Sequence, residues 1–388
     1  MSEQATPTKT ISDFEAKLNE ADKSVASFET DDKTLVSRIR AFLRANPTAI
    51  PAIILVFSLL AFGLIAKNFM SASTLALILK QVTVVGIVAI AQTIIILTAG
   101  IDLSVGIILV LSTMIMGNLA VKAGWPTGIA IPIGILFGTL MGCINGMLIT
   151  LARIPPFIAT LGTWYVYRAT NLWYTGSESI RPIDLEQKTP PLLWFGKGVN
   201  IVKDQDNNYG FTISGFGDIM RFGTDAEKPA IVAQFIWGGI AMIVLATIVW
   251  YMLSRTAWGR HVHAIGDDPD SAMLSGIQVN KTLISVYALA GLICGFGAWV
   301  AIGRVGSATP LAFETINLDS ITAVVIGGTS LFGGRASIAG SVLGAIIVGV
   351  FNTGLSLAGV DSYWQMFASG CLVIVAVAID QWLRRATQ

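Results

Sequence analysis

The 388-residue chain is 54% hydrophobic, only 13% charged, and carries a formal net charge of +1. A soluble domain averages about one charged residue in four, so this apolar surplus excludes an ordinary aqueous fold and points to lipid as the solvent. The near-zero charge balance offers no electrostatic footprint for a nucleic-acid partner.

Residues 1–49 read as a cytoplasmic tail. Its first 30 residues are polar, and "TDDKTLVSRIRAFLRANP" then predicts a basic amphipathic helix capped by Asp31 or Asp32. Leu35, Ile39, Phe42 and Leu43 share one face, and Arg38, Arg40 and Arg44 lie largely on the other. Such a helix lies along an anionic lipid surface. A long polar lead is the wrong order for a cleavable secretory signal, so the first apolar run is expected to stay as an anchor.

Apolar runs of spanning length fall near 50–66, 82–99, 103–121, 127–151, 155–173, 231–254, 282–303, 318–332, 336–356 and 363–383. The expectation is an all-α integral membrane protein with about ten transmembrane helices filling 50–383, followed by a short tail, 384–388. "GID" splits the second and third runs, and "GGR" splits the eighth and ninth. Glycine interruptions of this kind predict broken or half-length helices.

Arginine and lysine placement sets the orientation. Arg38, Arg40, Arg44, Arg153, Arg255, Arg260, Lys281, Arg335, Arg384 and Arg385 fall at one set of ends, against Lys67, Lys80, Lys122 and Arg304 at the other. Both termini are therefore expected in the cytoplasm. The connector 174–230, with Pro190-Pro191 and several glycines, is expected outside as a loop-rich cap. Residues 255–281 form a polar cytoplasmic loop that holds both histidines of the chain, His261 and His263.

Within that loop, "DDPDSAMLSG" is punctuated as a short helix. Asp268 suits the N-cap, Pro269 the first helical position, Asp270 the positive end of the dipole, and Gly276 a left-handed stop. Two turns would expose Ala272, Met273, Leu274 and Ile277 where lipid cannot cover them. The residues alone leave two readings open: a plug that docks on a partner, or a hairpin packed back on its own bundle.

Other patterns concern the spans. Gly134, Gly138, Gly142 and Gly146 recur at every fourth residue, and Gly340 with Gly344 and Gly291 with Gly295 repeat the device. Such stripes let helix backbones approach closely. Polar groups inside the spans are few, and Gln92, Asp102, Asn145, Thr163 and Asn352 are the candidates for a translocation pathway; Asp102 is also placed to cap the helix that follows it. Interhelical hydrogen bonding is the commoner use of Gln92 and Asn145. Cys143, Cys294 and Cys371 sit singly in apolar runs and read as small buried hydrophobes. No metal-ligand spacing occurs, and there is no phosphate-binding loop, so the chain is expected to hold no cofactor and to hydrolyse no ATP. An energy source must come from a partner.

Four stretches carry a family resemblance: "AGIDLSVG" (99–106), "GRHVHAIGDDPDSAMLSGIQV" (259–279), "ITAVVIGGTSLFGGRASIAGSVLGA" (321–345) and the weaker "STLALILKQ" (73–81). Together they resemble the permease subunit of bacterial ABC importers for monosaccharides, the ribose, xylose, arabinose and fructose class. The resemblance implies a fold like the cobalamin-importer permease, placed in the bacterial inner membrane. It implies two copies of the chain, an ABC ATPase subunit that holds ATP and magnesium, and a periplasmic sugar-binding protein. It also implies that Gly259, Gly266, Asp268, Ala272, Met273, Leu274, Ser275, Gly276 and Ile277 lie where the ATPase couples to the membrane part. The protein is then a transport subunit, not an enzyme. The alternative is a gradient-driven secondary sugar transporter, which would need an ionisable relay; Asp102 stands nearly alone.

Overall fold

The computed structural model describes residues 48–203, 209–215, 220–222 and 230–385. The amphipathic helix expected at 31–44 lies outside these residues. Each of the ten apolar runs contains a helix. They are α1 (Ala49–Ile65), α2 (Ala72–Leu97), α3 (Val105–Gly117), α4 (Thr127–Thr150) and α5 (Pro156–Thr175), then α7, α10, α11, α12 and α13 below. A single wide turn of π type, Asn118–Lys122, prolongs α3. The connector holds α6 (Pro182–Lys188) and a 3-10 turn, Pro190–Gly196. After it come α7 (Trp237–Arg255), α8 (Ala257–Asp267), α9 (Pro269–Leu274), α10 (Val279–Val305), α11 (Ile316–Ile326), α12 (Ile338–Leu357) and α13 (Ser362–Arg385). Among the described residues, α2, the α3 unit, α4, α7, α10 and α12 are long and apolar enough to cross a membrane. α11 has 11 residues, about 16 Å of helix, which makes it a half-length element ending at Gly327, ahead of the "GGR" break.

The bundle is helical as expected, and three details differ. The connector carries strands among its described residues. Strands β1 (Gly198–Lys203), β2 (Tyr209–Ile213), β3 (Met220–Phe222) and β4 (Ala230–Ile236) form one antiparallel sheet in the order β3-β2-β1-β4. The sixth run accordingly begins as a strand, and its helix starts only at Trp237. A short apolar run such as "AIVAQFI" satisfies either element by periodicity; pairing with β1 decides it. Finally, α2 begins at Ala72, not near 82. Ser71 caps it by accepting from Thr74 N at 3.2 Å. Lys80 and Gln81 lower the local hydropathy without breaking a helix, and the Lys80 ammonium reaches Gln234 of β4 at 3.1 Å.

Burial orders the bundle. From Val82 to Leu97, α2 is buried almost all round, as befits a helix with no polar face at the centre of a large core. α10 is its neighbour and packs on α2, α3 and most extensively on α4. A second apolar cluster joins Phe62 and Phe69 to Ile78, Val82, Val324 and Val348. The outer faces stay apolar as well: Phe57 and Leu64 of α1, Leu136 of α4 and Ile243 of α7 are exposed. Oily residues on both the inner and the outer faces are what a bundle in lipid requires.

The glycine ladder meets its complement across α4 and α10. A Cβ on Gly138 would lie 2.7 Å from the Gly291 carbonyl, and one on Gly142 would overlap the Tyr287 carbonyl. Gly146 faces Ile284, while Gly134 faces Met116 of α3. Gly340 and Gly344 seat α12 against the backbone of Gly327 and Ala323 in the same way. The helices touch backbone to backbone, so van der Waals packing holds them without a water-driven hydrophobic term.

Candidate functional site

Helices α8 and α9 form a polar hairpin between α7 and α10. Thr256 caps α8 by accepting from Gly259 N at 3.1 Å. Asp268 caps α9: its Oδ1 accepts from Asp270 N at 3.0 Å, and its Oδ2 from the Ser271 hydroxyl at 2.5 Å. Those bonds, the Ser271 hydroxyl foremost and then the Ser271 and Asp270 amides, hold the Asp268 carboxyl below the usual carboxylate range. Gly276 stands at φ +86°. Its amide donates to Met273 O at 3.0 Å, and Ile277 N donates to Ala272 O at 3.1 Å, the paired closure of a left-handed helix stop. Ser275 bonds back to Ser271 O at 2.9 Å.

What the hairpin presents is narrower than expected. Ala272 is 4% exposed and faces inward, so its expected exposure is corrected; Ile277 is half-buried. One turn of six residues points its Cβ atoms around the whole helix, and the side facing α8 and α10 closes over Ala272. Met273 at 60% and Leu274 at 87% exposure remain as an apolar tip.

The root of the hairpin is fixed to the bundle through glycines. Gly259 packs on the carbonyls of Met252 and Leu253 at the α7–α8 turn. Gly266 packs on the Leu97 carbonyl, and a Cβ there would come within 2.8 Å of Gly334 N. Gly334 N in turn donates to Leu97 O at 3.1 Å. Gly333 and Gly334 have φ of +85° and +76°, which lets the "GGR" loop bring its backbone onto Gly266 and Asp267. The last turn of α8, the end of α2 and the "GGR" loop therefore meet at one point. Leu97, Gly333 and Gly334 belong to the site because of a contact between distant segments, which the sequence pattern does not reveal.

Just beyond Leu97 lies a closed polar cluster. Asp102 Oδ1 accepts from Ser104 N at 2.6 Å and Ser104 Oγ at 2.7 Å, so Asp102 organises the start of α3. Asn145 of α4 donates to Asp102 Oδ2 at 3.2 Å and to Ser104 Oγ at 2.7 Å. The Gln92 amide, oriented to suit its neighbours, pairs with Asp102 N and O at 3.3 Å each. All four residues are buried. Thr163 is buried nearby in sequence to Thr160, whose carbonyl it bonds at 3.2 Å. Asn352 lies apart on α12, half-buried, with its Oδ1 accepting from Ser369 at 3.2 Å. The structure thus brings Gln92, Asp102 and Asn145 together as a helix lock and leaves Asn352 on a cavity wall. Arg168 pairs with Glu314 at 3.0 Å and lies 5.1 Å over the Trp164 ring.

Residues 74–377 match the family model described as "Branched-chain amino acid transport system / permease component". The chain is 46% identical over 386 residues to the fructose import permease protein FrcC of Rhizobium meliloti, covering 99% of each. It is 35% identical to the ribose import permease protein RbsC of Bacillus subtilis (strain 168), over 82% of this chain and 88% of the relative. With the xylose transport system permease protein XylH of Escherichia coli (strain K12) the identity is 28%, over 87% and 91%. No solved structure matches. A match over most of the bundle, together with relatives aligned along nearly their whole length, places the chain in the family of transport-system permease components.

Proposed function

We propose that this chain is the membrane-spanning subunit of a binding-protein-dependent importer that carries a monosaccharide into the cytoplasm by alternating access. An ABC ATPase partner supplies the work, holding ATP and magnesium itself, and a periplasmic sugar-binding protein supplies the affinity. Two copies of the chain surround the path. The termini and the α8–α9 hairpin face the cytoplasm, and the sheet of the connector faces the periplasm, in keeping with the bias in arginine and lysine. Fructose, ribose and xylose are the sugars named for the relatives, and D-fructose heads the panel because that relative shares the most residues of the three.

The observation that carries this reading is the hairpin itself. A capped helix ends in an exposed Met273–Leu274 tip, and its root lies on the last residue of α2 and on the "GGR" loop at once. A partner that grips the tip differently in its two nucleotide states shifts the permease equilibrium by that difference, and only by that. The contact of Gly266 with Leu97 and Gly334 carries the motion to the end of α2 and to the loop before α12.

The test is Leu274→Asp in the complete importer. A charge at a fully solvated position leaves the bundle intact and removes apolar contact with the partner. The expected result is normal membrane insertion with loss of ATPase co-purification and of sugar uptake. Uptake and co-purification equal to wild type would remove the hairpin from the coupling route.

A further inference from the structure

At the end of α10 remote from the hairpin, four helices line a half-open cavity of about 180 Å³. Its floor is apolar, built by Val82 and Val85 of α2, Ile316 of α11 and Val348 of α12. Its rim is polar: Gln81 of α2, Arg304 in the last turn of α10, Thr315 and Asp319 at the start of α11, and Asn352 of α12. Phe313 completes one wall.

The hydrogen-bond accounting of the rim leaves one kind of valence open at each residue. Gln81 Oε1 is taken by the Thr353 hydroxyl at 3.0 Å, which leaves its NH₂ group. Asn352 Oδ1 is taken by Ser369, which leaves a second NH₂ group. Asp319 Oδ2 accepts from Thr315 at 3.2 Å, which leaves Oδ1. The Arg304 guanidinium lies over the Phe313 ring at 5.7 Å, and no Asp or Glu oxygen lies within salt-bridge distance of it among the described residues. Asp319 and Arg304 thus line one cavity without pairing.

We infer that this cavity is a weak transit station for a monosaccharide, its hydroxyls held by the free amides of Gln81 and Asn352, by Asp319 and by Arg304. The inference rests on the permease reading above. A polyol needs donors and acceptors interleaved at close range, which is what the rim offers. Arg304 and Asp319 bring one charge of each sign to the rim, and Lys80, beside Gln81, lies within electrostatic reach of Arg304. The Phe313 ring and the Arg304 stem supply a flat apolar surface for the C–H face of a sugar ring. The volume admits a small solute, and affinity stays low because Gln81, Asn352 and Asp319 each already have one partner.

The test uses the complete importer, chain with ATPase and binding protein, in proteoliposomes. Uptake of D-fructose, D-ribose and L-leucine is measured per ATP hydrolysed for wild type, Arg304→Met, Asp319→Asn and Asn352→Leu. The expected result is sugar uptake by wild type and a fall of about tenfold per ATP in each variant, the weight of one hydrogen bond, with stimulation of ATPase by the binding protein retained. Variants that transport sugar at the wild-type ratio per ATP would overturn the station and leave the permease reading standing. Wild type that moves L-leucine and no sugar would overturn both. Should Arg304→Met fail to assemble, Asp319→Asn decides the matter, because it removes a charge at constant size from a half-exposed position.

Discussion

Replacing Gly276 separates the strength of the hairpin from the strength of the bundle. The residue stands at φ +86° with no atom within 4 Å of a Cβ built there. Alanine therefore meets no neighbour, and its cost is the left-handed backbone alone, about 1–2 kcal/mol. Valine adds the stiffness of a branched Cβ. The stop is held by two hydrogen bonds, Gly276 N to Met273 O and Ile277 N to Ala272 O, each contributing about 1 kcal/mol net. Strain and restraint are of one size, so the last turn opens while the membrane helices stay packed. A shift of about 1.4 kcal/mol is tenfold in population, so Gly276→Val should lower the closed hairpin by about that factor. The assay is ATP-driven sugar uptake in proteoliposomes beside thermal unfolding in detergent. Gly276→Val should lose most uptake with an unchanged unfolding temperature, and Gly276→Asn, which tolerates the left-handed region, should keep it. A valine variant that couples as well as wild type refutes the argument.

Two further outcomes follow from the same geometry. Gly142→Val forces a side chain into the Tyr287 carbonyl, so α4 and α10 must part at an overpacking cost of about 1–3 kcal/mol; Gly162→Ala, whose Cβ meets nothing within 4 Å, is the control. Thermal unfolding in detergent should fall for the first and not for the second, and equal values would discount backbone contact as the packing device. The Asp268 carboxyl is depressed by its Ser271 and amide bonds, so its cap is present above the ordinary aspartate pKa of about 3.9 and is lost as pH falls through the lower folded value. An NMR titration of Asp268 should give a midpoint below that reference, moving up toward it in Ser271→Ala; a midpoint at or above the reference in the unmodified chain contradicts the cap.

Features set by neighbours in the chain were legible, and features set by distant partners were not. The caps of α9 are local: Asp268, Pro269 and Gly276 act within one segment, and their roles follow from residue type. The glycine stripe of α4 was equally plain, but not that Gly291 and Gly295 are the surface it meets. Met273 and Leu274 could be placed on the helix, whereas the burial of Ala272 required knowing what lies behind it. The β-sheet escaped because strand pairing between β1 and β4 spans a long connector, and β4 reads as the start of a span. Gln81, Arg304 and Asp319 went unremarked as a set because three helices bring them to one cavity. The capping role of Asp102 is legible in the residues that follow it, while its bonds with Gln92 and Asn145 depend on α2 and α4 meeting there.

The most direct measurement is photo-crosslinking from the hairpin tip. A benzophenone side chain replaces Leu274 in the full importer, and the products are identified with and without ATP. The account predicts a crosslink to the ATPase subunit whose yield changes between the nucleotide-free and ATP-bound states. Crosslinks confined to this chain or to lipid, or a yield to the ATPase that nucleotide does not alter, would contradict it.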